Sequence, residues 1–156
     1  MSFSTPAGTH GSRQPRGPVL RLVNRMTVGR VRRSRGRSAG MDVLVLRTVG
    51  RTSGQRREVP VAWFPGPGDS WLVVASAAGA AKDPAWYLNL AAHPDDVEID
   101  VQGRTVAVTA SELHGAERDE AWAQIVGAAP RFASYQEHTD RQLPVIRLAE
   151  RGAERG

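Results

Sequence analysis

Gly50-Arg51-Thr52-Ser53-Gly54-Gln55-Arg56-Arg57 lies between two runs with strand character, Met41 to Thr48 and Glu58 to Phe64. The first run reads as a strand and the second as its neighbour. Bracketing glycines let the backbone take positive φ and turn amide hydrogens toward one point. Thr52 and Ser53 add hydroxyls, and Arg51, Arg56 and Arg57 add forked, permanently charged groups suited to phosphate or carboxylate. The loop is built for an anion. The alternative is a solvated hairpin, arginine-rich because the whole chain is.

Upstream, the charge is uneven. Residues 1–40 hold nine arginines and no acid, whereas the remainder carries 12 basic and 16 acidic residues, so the net +5 resides in the N-terminal arm. Lys82 is the one lysine, which points to a coding bias toward arginine and discounts any single arginine. Residues 1–17, rich in Ser, Gly, Pro and Thr, are expected to be disordered. Val19, Leu20, Leu22, Val23 and Met26 share a helical face, so 18–40 reads as a basic helix and loop packed on the domain. Peripheral contact with anionic lipid through that helix is the minority alternative. Nucleic acid is not an expected partner: the basic cluster Arg30 to Arg37 has no aromatic residue to stack on bases.

Downstream, Pro60 marks the second strand as an edge or a bulge. A third strand is expected over Ser70 to Ser76, then a small-residue loop, then a helix capped by Asp83, with Pro84 at its first position, that continues through Ala92. Asp96 to Gln102 and Arg104 to Glu112 alternate about a Gln102-Gly103 turn. Gly115 to Ala129 reads as a helix, Pro130 to Arg141 as irregular or briefly helical, and Leu143 to Leu148 as a last strand. About six strands and three helices without βαβ rhythm predict a small antiparallel barrel, mainly β with covering helices, over 41–149. Residues 150–156 read as a polar tail.

The chemistry is narrowed by exclusion. The chain of 156 residues has no cysteine, its four histidines lack metal-ligand spacing, and no P-loop, GxGxxG or nucleophile elbow occurs. An enzyme of this composition needs a cofactor to carry the reaction. Ala75-Ser76-Ala77-Ala78-Gly79-Ala80-Ala81 admits a flat ring against its backbone, and Trp86 and Tyr87 follow on the next helix. At least one of those two aromatics is expected in the core.

Leu46 to Gln55, Arg57 to Pro60, Ala75-Ser76 through Leu90, and Pro130 to Arg141 with Tyr135-Gln136 and Thr139-Asp140-Arg141 together resemble the deazaflavin-dependent nitroreductase and quinone reductase family. The resemblance implies a split β-barrel of the flavin-reductase type. It also implies coenzyme F420, an 8-hydroxy-5-deazaflavin with a phosphate-linked oligoglutamate tail, with FMN as the weaker alternative, and hydride transfer to a quinone-like or nitro acceptor. Transferred residue by residue, it places the tail on Arg51, Thr52 and Ser53, with Arg57, Glu58, Val59, Pro60 and Val61 running beneath ring and linker. Val74, Ala75, Ser76 and Ala77 would edge the ring, Ala85, Trp86, Tyr87, Leu88 and Asn89 would close over it, and Phe132 and Tyr135 would sit in a lid. Ser76 and Tyr135 are the candidates for catalysis, with no metal.

Thr52 and Ala77 stand where relatives carry a second basic residue and a lysine, and Arg56 or Arg32 to Arg37 are the candidate replacements for those tail contacts. The lid also lacks aromatics at Ala129 and His138, so acceptor preference does not transfer. Two other functions compete: a cofactor- or lipid-binding barrel without turnover, and nucleic-acid binding through the basic arm. A cytoplasmic location is expected, with membrane association as its variant.

Overall fold

The computed structural model describes residues 3, 7–11, 24–26, 28–29, 37–38, 41–76, 79 and 83–151. The strands are β1 (Arg37–Ser38), β2 (Met41–Val49), β3 (Arg56–Ala62), β4 (Phe64–Pro65), β5 (Trp71–Val74), β6 (Val97–Val101), β7 (Arg104–Glu112) and β8 (Val145–Glu150). Helices α1 (Ala85–Ala92), α2 (Gly115–Ala128) and α3 (Arg131–Glu137) fall between them. Residues 24–26 and 28–29 are also helical.

Every pairing is antiparallel, in the order β1-β2-β6-β7-β8-β5-β4, with β3 on the other side of β2. Trp63 alone separates β3 from β4, so a single bend carries one strand from the β2 edge to the β5 edge and curls the sheet into a split barrel. The bend is pinned by the Trp63 amide, which donates to the Asp42 carbonyl at 3.0 Å. As expected, Pro60 lies in a strand with one hydrogen-bonded neighbour, where its missing donor interrupts no second ladder. The β6–β7 turn places Gln102 at φ 50° and Gly103 at φ 82°, the positive pair that a two-residue hairpin needs.

Alternation along β2 divides the interior. Leu44 and Leu46 join Val73, Ile99, Val108, Ile146 and Leu148 in the barrel core, whereas Val43 and Val45 face Val28 on the outside. Each fully buried aliphatic side chain contributes about 1.5–3 kcal/mol. A second core, under α2 and α3, holds Leu72, Val74, Ile125, Phe132 and Leu143.

Several expectations shift. The third strand ends at Val74, since Ala75 and Ser76 turn out to meet other partners, and the last strand runs Val145–Glu150. Pro84, not Asp83, caps α1, with φ −66° and ψ 155° and no side-chain cap bond, because the Asp83 carboxylate is held by an arginine described below. Within the 130–141 segment, read as irregular or briefly helical, Arg131–Glu137 forms the short helix α3 and residues 138–141 are turn and bend.

The described part of the segment expected to be disordered is docked. Thr9 donates through its amide (2.7 Å) and hydroxyl (2.6 Å) to the Asp140 carboxylate, Thr139 Oγ1 donates to the His10 carbonyl at 2.6 Å, and the Phe3 ring meets Tyr87 edge-on. Hydrogen bonds to a body carboxylate hold a segment with little to bury. In the basic helix Val28 is buried, whereas Met26, assigned to the packing face, is 58% exposed. The remainder of that helix, most of the Arg30 to Arg37 cluster and the tail at 152–156 lie outside the described residues.

Candidate cofactor site

The Gly50–Arg57 loop closes on itself. Gly50 N–H donates to the Gln55 carbonyl (2.8 Å), Gly54 N–H to the Gly50 carbonyl (2.9 Å) and Gln55 N–H to Ser53 Oγ (3.2 Å). Positive φ occurs at Gly54 (69°) and not at Gly50, where the need is instead for space beside Ser53. The Arg51 amide donates to Asn89 Oδ1 at 3.1 Å. Thr52 and Ser53 are left as the loop amides without a partner among the described residues, a narrower cradle than two free-turning glycines would make. The anion-binding capacity therefore rests on side chains. Arg51, Thr52 and Ser53 are exposed, and neither the Arg51 nor the Arg57 guanidinium has a partner among the described residues. Arg56 pairs with Asp96 at 3.1 Å, so it is less available as a replacement tail contact.

Asn89, buried on α1, joins the loop to the next part of the site. Its Nδ2 donates to Thr48 Oγ1 at 3.2 Å while its Oδ1 receives the Arg51 amide. Val59, Val61, Trp63, Trp86 and Leu88 each pack on the barrel core yet remain half-exposed, apolar surface on the strand that follows the cationic loop and on α1. Glu58 falls on the opposite strand face, where Arg47 bonds both its carboxylate and that of Asp100 at 2.9 Å. Its side chain is thereby removed from that apolar surface, and Pro60 shares its face by alternation.

Ser76 is half-buried, and its amide and hydroxyl have no partner among the described residues. Its carbonyl accepts the Gly79 amide at 2.8 Å. Gly79 is buried at φ 83°, and a Cβ there would collide with the Tyr135 carbonyl oxygen. One glycine thus brings the slot serine and the lid tyrosine to its two sides. The Tyr135 ring meets Phe132 edge-on at 5.5 Å, and its phenol has no partner among the described residues.

Other expected site residues are core. Val74 and Phe132 belong to the second core and Ala75 to the first, so at most their backbones reach a ligand. Tyr87 is the aromatic of α1 that packs inside, its hydroxyl donating to the buried Glu112 carboxylate. Trp86 is the half-exposed one, and Ala85 is exposed. Ala77 lies outside the described residues. No group of acids and histidines among the described residues is placed to hold a metal.

Arg141 is the residue whose place no pattern announced. Its side chain is fully buried and donates to the Ala75 carbonyl (2.9 Å), the Ser76 carbonyl (2.9 Å) and Asp83 Oδ1 (2.7 Å). Burial pushes the Asp83 carboxyl above its ordinary value, and the facing guanidinium only partly offsets this. Burial likewise lowers Arg141, which Asp83 opposes. The Thr139-Asp140-Arg141 motif held the signal, though not the role.

A flat ring and a polyanionic tail fit the chemistry of these groups: Thr52, Ser53 and Ser76 amides unpaired among the described residues, an exposed Arg51, and half-exposed apolar side chains on β3 and α1. The profile of the F420H(2)-dependent quinone reductase family matches residues 20–150. The F420H(2)-dependent quinone reductase Rv1261c of Mycobacterium tuberculosis is 39% identical over 112 residues, covering 69% of this chain and 73% of that protein. A solved F420-H2 dependent reductase, FDR-A, superposes with a TM-score of 0.61 at 36% identity over 68% of this chain and 92% of its own. Campylobacter jejuni ChuZ shares the fold alone, with a TM-score of 0.52 at 14% identity over 88% of this chain and 55% of its own. The chain belongs to the F420H(2)-dependent quinone reductase family, and is an oxidoreductase whose cofactor is coenzyme F420 and whose acceptor is quinone-like.

Proposed function

We propose that Arg51, Thr52, Ser53 and Arg57 hold the cofactor tail, that the ring lies along Val59, Val61, Trp86 and Leu88 to the Ser76 amide, and that the acceptor binds between Ser76 and Tyr135. Reduced F420, when bound, supplies the hydride. The Ser76 and Tyr135 hydroxyls donate hydrogen bonds to the acceptor oxygen as it gains charge, and a proton completes reduction to the hydroquinone. Nitro compounds, which present a similar electron-poor oxygen, are a second acceptor class. Cofactor and apolar side chains exclude water from the reacting atoms.

The observation that carries this reading is the Arg51–Asn89 hydrogen bond, which fastens the cationic loop to the helix bearing Trp86. Titration with oxidised F420, FMN and an oligonucleotide tests it. F420 should bind more tightly than FMN, whose single phosphate gives the loop less charge, and the oligonucleotide should not compete. Equal affinity for F420 and FMN overturns the placement of the tail. Tyr135→Phe should lower kcat for quinone while the cofactor Kd stays unchanged.

Contact with a membrane surface through the basic N-terminal helix is a further element of the proposal, supported by the exposure of Met26. No helix among the described residues is long and apolar enough to cross a membrane.

A further inference from the structure

We infer that Arg141 is the positioning residue of the ring slot: one guanidinium holds the carbonyls of Ala75 and Ser76 on one wall and the Asp83 carboxylate at the foot of α1 on the other. This rests on the cofactor reading above and assigns a residue that does not itself touch the ligand.

Peptide planarity gives the contact its consequence. No peptide bond among the described residues is cis, so the Ser76 N–H points opposite to the Ala75 carbonyl. With that carbonyl turned inward onto Arg141, the Ser76 amide is turned outward, unpaired among the described residues and available to a ring oxygen or nitrogen. Asp83 stands immediately before Pro84, the cap of α1, so the same guanidinium sets where the helix carrying Trp86 begins. The arginine is itself fixed from behind. Gln136 Nε2 on α3 donates to the Arg141 carbonyl at 2.7 Å, and Thr139 Oγ1 receives its amide at 3.1 Å. Slot, helix and lid therefore share one buried cation.

A lysine keeps the charge opposite Asp83, yet its single nitrogen cannot reproduce a planar fork across two carbonyls and a carboxylate. Wild type, Arg141→Lys, Asp83→Asn and Arg51→Ala are titrated with oxidised F420 and with its tail-less deazaflavin core, following fluorescence, with thermal melts alongside. Arg141→Lys should melt cooperatively and bind both ligands about tenfold more weakly, by the same factor, because the ring and not the tail has lost its seat. Emission of its saturated complex should differ from wild type, whereas the saturated Arg51→Ala complex should match it. Asp83→Asn, which leaves both carbonyl bonds, should lose about threefold on both ligands.

Wild-type affinity of Arg141→Lys for both ligands overturns the assignment, as does a loss confined to the tailed cofactor. If Arg141→Lys does not fold, Asp83→Asn decides, and its unchanged affinity and emission overturn the assignment. Wild-type protein that binds neither ligand overturns the cofactor reading and this assignment together. Binding by wild type with unaltered variants overturns this assignment alone.

Discussion

The side-chain carbonyl of Asn89 accepts the backbone amide of Arg51 at 3.1 Å, joining two stretches that are 38 residues apart in the chain. The other end of the same amide group donates to Thr48 Oγ1. Asn89→Leu keeps the volume but leaves the buried Thr48 hydroxyl without its donor and the part-buried Arg51 amide without its acceptor, a cost of about 1–3 kcal/mol. Urea melts should show that loss of stability, and titration should show weaker F420 binding as the loop loses its anchor. A variant with wild-type stability and affinity would mean that the joint is incidental.

Arg51→Ala tests the tail contact. A charge-assisted hydrogen bond contributes roughly 1.5–3 kcal/mol, so F420 affinity should fall about tenfold to a hundredfold. Stability should change by no more than about 0.5 kcal/mol, because the residue is exposed and lies in a loop. The loss should shrink in high salt and vanish with the tail-less core. Equal losses on both ligands would remove Arg51 from the tail site.

Gly79→Ala should destabilise the fold by about 1–3 kcal/mol from its backbone conformation alone, with φ at 83°. Collision with the Tyr135 carbonyl adds to this and pushes the lid away from the slot. A lowered melting temperature together with a raised KM for quinone is the expected result. A lowered melting temperature with KM unchanged would confine Gly79 to a structural part.

Asp140 supplies a pH dependence whose sign is set by its partners. The Thr9 hydroxyl and amide, with the His10 amide, hold its carboxyl down to about 2, against 3.8 for the free group. A depressed folded-state value means that the N-terminal contact is fully present above pH 3.8 and is lost as pH falls toward about 2. Hydrogen exchange at Thr9 and His10 should accelerate over that window, and Asp140→Asn should show fast exchange already at neutral pH. Slow exchange in that variant would mean that Phe3 and Tyr87 hold the segment without the carboxylate.

Deletion of residues 1–17 should cost stability. It removes Phe3 from Tyr87 and three hydrogen bonds from Asp140, so the melting temperature should fall by a few degrees. An unchanged melting temperature would show that these contacts contribute nothing net.

Much of the barrel was legible because its signals are local. Alternation in Asp96 to Glu112 announced β6 and β7, and Gln102-Gly103 announced their turn, since two-residue periodicity and positive φ belong to a few consecutive residues. The anion loop was legible from residue type, and its glycine at position 54 behaves as residue type requires. Its amides were misjudged, because pairing with Asn89 and Gln55 is not written in the loop itself. Glu58 and Pro60 looked like equals of Val59 until alternation put them on the other face with Arg47.

The N-terminal segment and the slot were decided by tertiary structure alone. Composition determined that residues 1–17 offer few apolar side chains, but a carboxylate at position 140 gives Thr9 a partner that composition cannot foresee. Likewise the order of motifs determined the family and its barrel, yet nothing near Ala75 foretells Arg141. β5 pairs with β8 in a register that sets Val74 against Val145, and the Ala75 amide then bonds the Pro144 carbonyl at 2.9 Å. That register delivers Arg141 beneath the slot from 66 residues away. A short-range pattern specifies strands and turns, because their hydrogen bonds and periodicity are short-range. A buried cation that takes Ala75, Ser76 and Asp83 as partners from distant segments is specified only when the sheet has closed.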